Sequence, residues 1–373
     1  MDMLAESVDA VIGVDTHTDT HTACLLDRTG RELAVVTVEA SPRGYDGLLS
    51  WARDRAPGPA LLWAIEGCRS HGAGLTRALT AAEQRVVEAG RPARARRRPG
   101  GKSDPADARL AAREALGAAK HAQPRRDGDR EALRVLLVAR DHANAMRTAA
   151  INVFKSLLLT APDDLRERLR RASTPRQTAA CAVLRVLARH DPTERVLRQT
   201  LRRLAQQIRL LDKEIRANDR QLRELVEATM PALLAEPGVG PVSAAHLIVA
   251  WSHPGWCRSE AAFASLASVS PIEASSGRIT RHRLNRFGDR RLNRALHTIV
   301  NWRMIHGHEP TQHYLTRRRA QQKTDAEIRR CLKRYTARHL FRLMETARQP
   351  HTPEAGRVDQ YPGSPPEAKR AAA

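Results

Sequence analysis

Aromatic side chains are scarce, with Phe, Tyr and Trp together making up 3% of the sequence. A chain so poor in rings does not read nucleic acid chiefly by stacking bases on aromatic platforms. The five cysteines, Cys24, Cys68, Cys181, Cys257 and Cys331, are scattered, odd in number and without C-x-x-C spacing. That pattern excludes a disulfide framework and a zinc site, and it fits a reducing cytoplasm. No run of 18 apolar residues occurs, so no membrane span is expected, and Asp2 and Glu6 stand where a secretory leader would be basic. Acid is also in deficit, 41 Asp+Glu against 63 Lys+Arg, for a formal charge of +22 and a pI near 11.1. Such a balance points to a polyanion partner, and nucleic acid is the default because phosphate neutralisation drives binding without regard to base sequence. The 373 residues predict two or three domains, each with a real core.

Residues 8–14 form a short apolar run ending in Asp15-Thr16-His17. Two β-rich segments, 21–26 and 33–38, follow around the turn signal Asp27-Arg28-Thr29-Gly30, which predicts a three-strand meander. A helical stretch over 45–55 precedes a continuous apolar strand over 60–65, of the kind buried on both faces, which stops at Glu66. A helix over 74–82 and a short strand over 85–88 complete an α/β layer. Asp15 and Glu66 each close a strand at its C-terminal end, the edge where such sheets bind ligands.

The stretch Gly100-Gly101-Lys102-Ser103-Asp104-Pro105-Ala106-Asp107 then sets two carboxylates three residues apart at a helix start. Ser103 or Asp104 serves as N-cap, and Pro105 sits where a missing N–H costs nothing. Asp104 and Asp107 share a helical face. They either favour the positive end of the helix dipole or share a hard divalent cation. Together with Asp15 and Glu66 they are the four carboxylates that a pair of Mg²⁺ ions needs for in-line attack on a phosphodiester. Between Gly90 and Lys102 lies a cationic loop with Arg94, Arg96, Arg97 and Arg98, read as a nucleic-acid contact beside the acids rather than a merely solvated charge run.

Helical patterning dominates onward to about residue 230, with one long helix over 130–159. Leu197, Leu201, Leu204, Ile208, Leu211, Ile215, Leu222 and Leu225 recur at three- and four-residue steps, with Asn218 at one core position. The stripe reads as a coiled coil that pairs two copies; a long helix packed within its own domain would carry the same stripe. Next, Glu236-Pro237-Gly238-Val239-Gly240-Pro241 predicts a turn between two helices. It either seats a phosphate on backbone amides at Gly238 and Gly240 or only joins the helices. Last comes Ser275-Ser276-Gly277 amid Arg278, Arg281, Arg283 and Arg286, an accessible hydroxyl among charges able to stabilise a transferring phosphate, or else just a loop.

Gly13-Val14-Asp15-Thr16-His17, Glu66-Gly67, Lys102-Ser103-Asp104 with Asp107-Ala108, Pro237-Gly238-Val239-Gly240-Pro241, Ala274-Ser275-Ser276-Gly277, Gly288-Asp289 and Leu292-Asn293 occur in that order. So arranged, the chain resembles the DEDD transposases of the bridge-RNA-guided insertion-sequence family, relatives of the pilin-gene invertase. The resemblance implies an RNase-H/RuvC-like α/β domain over 8–120 and a helical, coiled-coil region over 128–229. It implies a mainly α C-terminal domain over 230–348 with a helix-hairpin-helix-like motif, while the tail over 349–373, rich in Pro, Gly, Glu and Ala, reads as disordered from its composition. It further implies four Mg²⁺-binding acids, a homo-oligomer, DNA partners at the element ends and target, a guide RNA, and a serine that becomes transiently linked to DNA. By motif match that serine is Ser276, with Ser275 its near-degenerate rival. Thr18, Cys68-Arg69-Ser70-His71, Val269-Ser270 and Phe287 depart from the usual pattern without removing a catalytic group. A Holliday-junction-type nuclease would need only the four acids, and a non-catalytic scaffold would need only the Arg-rich surfaces.

Overall fold

A computed structural model describes residues 7–89, 103–118, 121–187, 190–273 and 282–347. The chain divides into two compact units between Arg125 and Arg126.

The first unit is built on a five-stranded sheet of β1 (Ala10–Thr16), β2 (Thr20–Asp27), β3 (Glu32–Glu39), β4 (Leu61–Glu66) and β5 (Arg85–Ala89). Its order is β3-β2-β1-β4-β5; β1 and β2, and β2 and β3, run antiparallel, whereas β4 runs parallel to both β1 and β5. The predicted meander, buried strand and following strand are all present, each within one or two residues of its expected ends. Central strand β1 is buried along its whole length. Its alternation sends Ile12 and Val14 to one face, with Trp63 and Ile65 of β4, under helices α1 (Pro42–Arg55) and α2 (Ala73–Ala81). Val11 goes to the other face, with Leu62 and Ala64 of β4, under helix α3 (Asp104–Gly117). Strands covered on both faces have no polar side to show, which is why they read as continuous apolar runs.

Helix α3 lies unusually close to β1. It presents a row of small residues, Ala108, Ala111, Ala112 and Ala115, to the sheet, and a Cβ at Gly13 would fall 2.0 Å from the Ala108 carbonyl oxygen. Only glycine fits that crossing.

The second unit is mainly helical. Helix α4 (Asp129–Leu159) and helix α7 (Pro192–Thr229) form a long pair. Arg140 reaches Asp219 and Arg147 reaches Asp212, each at 2.5 Å, so later residues of α4 meet earlier residues of α7 and the pair is antiparallel. Helices α5 (Asp163–Leu169) and α6 (Thr174–Ala182) close one end, where Phe154, Leu158, Leu165, Cys181, Leu201 and Ile208 share a core. The leucine stripe assigned from sequence to a second copy is therefore buried inside this chain: Leu201, Ile208, Leu211, Ile215 and Leu222 are covered, and α4 supplies their partners. Asn218 is buried in that seam, and its Nδ2 has no hydrogen-bond partner among the described residues.

Beyond α7 follow α8 (Ala232–Ala235), α9 (Pro241–Trp251), α10 (Glu260–Leu266), α11 (Arg290–Ile305), α12 (Glu309–Ala320) and α13 (Asp325–Thr346). Leu247 and Trp251 of α9, Leu292, Leu296 and Ile299 of α11, and Leu340 and Phe341 of α13 form one core with Leu133 and Leu137 of α4 and Leu222 and Val226 of α7. A two-residue-per-strand hairpin, β6 (Ile272–Glu273) with β7 (His282–Arg283), brackets residues 274–281. Among the described residues no helix is long and apolar enough to cross a membrane.

Candidate metal centre and nucleic-acid surface

Strand alternation decides which side chains meet. Asp15 lies two residues beyond Gly13 on β1 and so shares the face on which α3 rests; Glu66 lies two beyond Ala64 on β4 and shares it too. The parallel register sets Val14 opposite Ile65, which puts both acids at the C-terminal ends of neighbouring strands. A hydrogen bond from Thr16 Oγ1 to the Glu66 carbonyl, 2.8 Å long, ties those ends together. Helix α3 begins over the same face with Asp104 and Asp107 in its first turn. Ser103 is the N-cap residue, its hydroxyl making no capping bond.

Between the strand end and the helix start stands a residue that sequence reasoning did not single out. His17 Nε2 lies 3.3 Å from Asp15 Oδ2 and 3.3 Å from Asp104 Oδ1. One donor atom from each of Asp15, His17 and Asp104 lies within 4.8 Å of the others. The sequence signal was available: two residues after Asp15 on an extended strand, His17 falls on the same face. Burial raises the Asp15 pKa above the ordinary carboxylate range; His17 opposes the shift, and the Asp107 and Asp104 charges add to it. Crowded acids, one of them reluctant to ionise, are what a cation would relieve, and carboxylate oxygens with one imidazole nitrogen are donors that divalent ions accept. Asp107 acts on Asp15 electrostatically, while the Glu66 carboxylate lies outside the close group of three.

Three of the five thiols are poorly suited to a chemical role. Burial pushes Cys24, Cys68 and Cys181 up to about 11, so each stays protonated at neutral pH.

In the second unit, Gly238 adopts φ +79°, and a Cβ there would meet Trp302 at 2.9 Å and the Ile299 carbonyl at 3.1 Å. This glycine is thus required by packing against α11. Gly240, the N-cap of α9, has open space around it and no side-chain cap. The helix before the turn, α8, is a single turn of four residues. Arg283 and Arg286 are exposed. Phe287 is 79% exposed beside them, on a turn fixed by its own N–H donating to Asn285 Oδ1 at 2.9 Å. Arg94, Arg96, Arg97, Arg98, Lys102, Ser275, Ser276, Arg278 and Arg281 lie outside the described residues.

Residues 12–161 match the DEDD transposase family model of the IS110 type, and residues 230–316 match the model of the transposase IS116/IS110/IS902 family. The chain carries IS110-family transposase domains. These domains indicate a DNA transposase/recombinase. The mixed α/β sheet of the first unit is consistent with the RNase-H-like DEDD fold, and a DEDD domain implies use of a divalent metal. Among curated proteins nothing matches the chain.

Proposed function

We propose that this IS110-family protein cuts and rejoins DNA to move an insertion sequence, with Asp15, Glu66, Asp104 and Asp107 as ligands of Mg²⁺ and Ser276 as the nucleophile. The observation that carries the reading is the meeting of Asp15, at the end of β1, with Asp104, in the first turn of α3, around one small volume. Glu66 on the same sheet face and Asp107 one turn along α3 extend the acidic edge.

When bound, the metal supplies charge neutralisation at the scissile phosphate and lowers the pKa of an oxygen nucleophile. The chain's own residues hold the site in place. Gly13 lets α3 sit against β1, so Asp104 is carried by a helix locked to the strand that bears Asp15. The Thr16 hydroxyl fixes the β4 end, and with it Glu66. Ser276 Oγ forms a bond to phosphorus as a phosphorus–sugar oxygen bond breaks, and the resulting phosphoserine link is resolved by a DNA hydroxyl, which restores the serine. Arg278, Arg281, Arg283 and Arg286 neutralise charge on the phosphate oxygens, and the cationic run through Arg94, Arg96, Arg97, Arg98 and Lys102 holds backbone phosphates. Domains over 8–120, 128–229 and 230–348 divide these tasks, a guide RNA directs them, and the active form is a homo-oligomer. Because the inner seam of α7 is filled by α4, assembly uses outward residues of that pair such as Val196 and Leu210.

The test is to trap the reaction on labelled donor DNA, with RNA transcribed from the element's flanking ends, and map the protein–DNA adduct by mass spectrometry in wild type, Ser275→Ala and Ser276→Ala. Loss of the adduct in Ser276→Ala alone is expected. Loss in Ser275→Ala alone moves the nucleophile by one residue. An active protein with no adduct in any form makes it a junction-type nuclease instead.

A further inference from the structure

We propose that His17 is a ligand of the divalent cation, a nitrogen donor placed between Asp15 and Asp104, and that it gives the site a preference for Mn²⁺ over Mg²⁺. The inference rests on reading these acids as a metal site.

Geometry carries it. Around an ion with bonds of about 2.1 Å, donor atoms at right angles stand about 3.0 Å apart. His17 Nε2 is 3.3 Å from an oxygen of each aspartate, so shifts of a few tenths of an ångström would bring all three onto one ion. The backbone at His17 is anchored, since its N–H donates to the Thr20 carbonyl at 3.0 Å and continues the β1–β2 ladder. The side chain is 45% exposed and free to make that adjustment. Neighbouring His21, by contrast, is fully buried, stacked on Tyr45 and hydrogen-bonded through Nδ1 to the Thr20 carbonyl. A merely structural bridge between two aspartates is the competing role, and it differs in one respect: it would keep His17 off the metal.

Imidazole changes which ion is held. Mg²⁺ takes oxygen donors in near-ideal octahedral geometry and gives up its water reluctantly, whereas transition metals accept nitrogen readily. A site with one imidazole among carboxylates therefore favours Mn²⁺, and Co²⁺ more strongly still, over Mg²⁺.

The full-length protein is titrated with Mn²⁺ alone and read by electron paramagnetic resonance, with electron spin-echo modulation reporting nitrogen bonded to the ion. Wild type should bind Mn²⁺ with ¹⁴N modulation, and uniform [¹⁵N]histidine labelling should replace that signal without any mutation. His17→Gln should lose the modulation and bind Mn²⁺ at least about tenfold more weakly, with a smaller change for Mg²⁺ measured by competition. Metal-free thermal melts should show His17→Gln folding cooperatively as wild type does, since the His17 side chain is 45% exposed. Mn²⁺ binding without nitrogen modulation in wild type, or modulation surviving in His17→Gln, overturns the role of His17 and leaves the acids as a metal site. Failure of wild type to bind Mn²⁺ or Mg²⁺ at all overturns the metal reading itself, and this inference with it.

Discussion

Arg303 holds Glu236 and the turn beside it: Nη2 donates to Glu236 Oε2 at 3.0 Å and Nε donates to the Pro237 carbonyl at 2.8 Å, from a guanidinium on α11 that is 3% exposed. His339 Nε2 approaches the other Glu236 oxygen at 2.8 Å. The Gly238–Gly240 turn is thus clamped to two helices from beneath. Arg303→Met leaves the Pro237 carbonyl without its donor and Glu236, which is partly exposed, with His339 alone, so it should cost about 1–3 kcal/mol in urea melts.

The same cluster sets a pH dependence. The hydrogen bond from His339 holds the Glu236 carboxyl below its ordinary range, with the Arg303 charge adding to the effect against burial. A depressed carboxylate stabilises the fold above its unfolded value of roughly 4.3, and that contribution disappears as pH falls through the folded value. Glu236→Gln should therefore be less stable than wild type at pH 7, and the gap should close progressively below about pH 4.3. A gap that widens on acidification would mean the pair is not what holds the turn.

Asp15 runs the opposite way. Its folded pKa is raised, so its ionised form opposes folding once pH exceeds the unfolded value. In metal-free buffer at pH 7, Asp15→Asn should melt higher than wild type, while strand cleavage is abolished. Asp104→Asn should likewise fold and fail to cleave, and full recombination by that variant would remove it from the site.

The two glycines of the turn should separate cleanly. Gly238→Ala must hold φ +79° and push Trp302 aside, at a cost of about 1–3 kcal/mol. Gly240→Ala meets nothing within 4 Å and should leave thermal stability unchanged. Equal destabilisation by both would refute the assignment of Gly238 to packing.

Adjacent leucines on α7 offer a sharper contrast. Leu211 is 6% exposed and faces α4, whereas Leu210 is 65% exposed. Leu211→Glu buries an unpaired charge within the chain and should unfold the helical pair even at high dilution. Leu210→Glu should stay within about 0.5 kcal/mol of wild type in stability. If assembly uses this outer face, Leu210→Glu also lowers the sedimentation coefficient.

Much of the first unit was legible because strands buried on both faces leave a signature of period and composition: the apolar runs into Asp15 and Glu66, the Asp-Arg-Thr-Gly turn and the proline at the start of α3 all mark their elements locally. His17 was only half legible as a site residue, because its spacing from Asp15 marks the shared face but carries no local mark of what will cover it. Nor was the partner of the α7 stripe. A heptad pattern states that a helix buries one face, and an intrachain antiparallel helix satisfies it as well as a second copy does. Arg140 and Arg147, seven residues apart, against Asp212 and Asp219, also seven apart, are the trace of that pairing, visible only once the direction of α4 is known.

By itself the sequence determined the elements, the sheet-then-helices order, the basic charge and the spacing of Asp104 and Asp107, since each depends on neighbours within a few residues. Tertiary structure alone decided that α3 crosses β1 at Gly13, that His17 stands between Asp15 and Asp104, that Gly238 is spent on Trp302, and that α4 covers α7. Those outcomes turn on which surfaces meet across long stretches of chain, where shape, burial and charge of distant residues must agree at once, and local periodicity carries no record of that agreement.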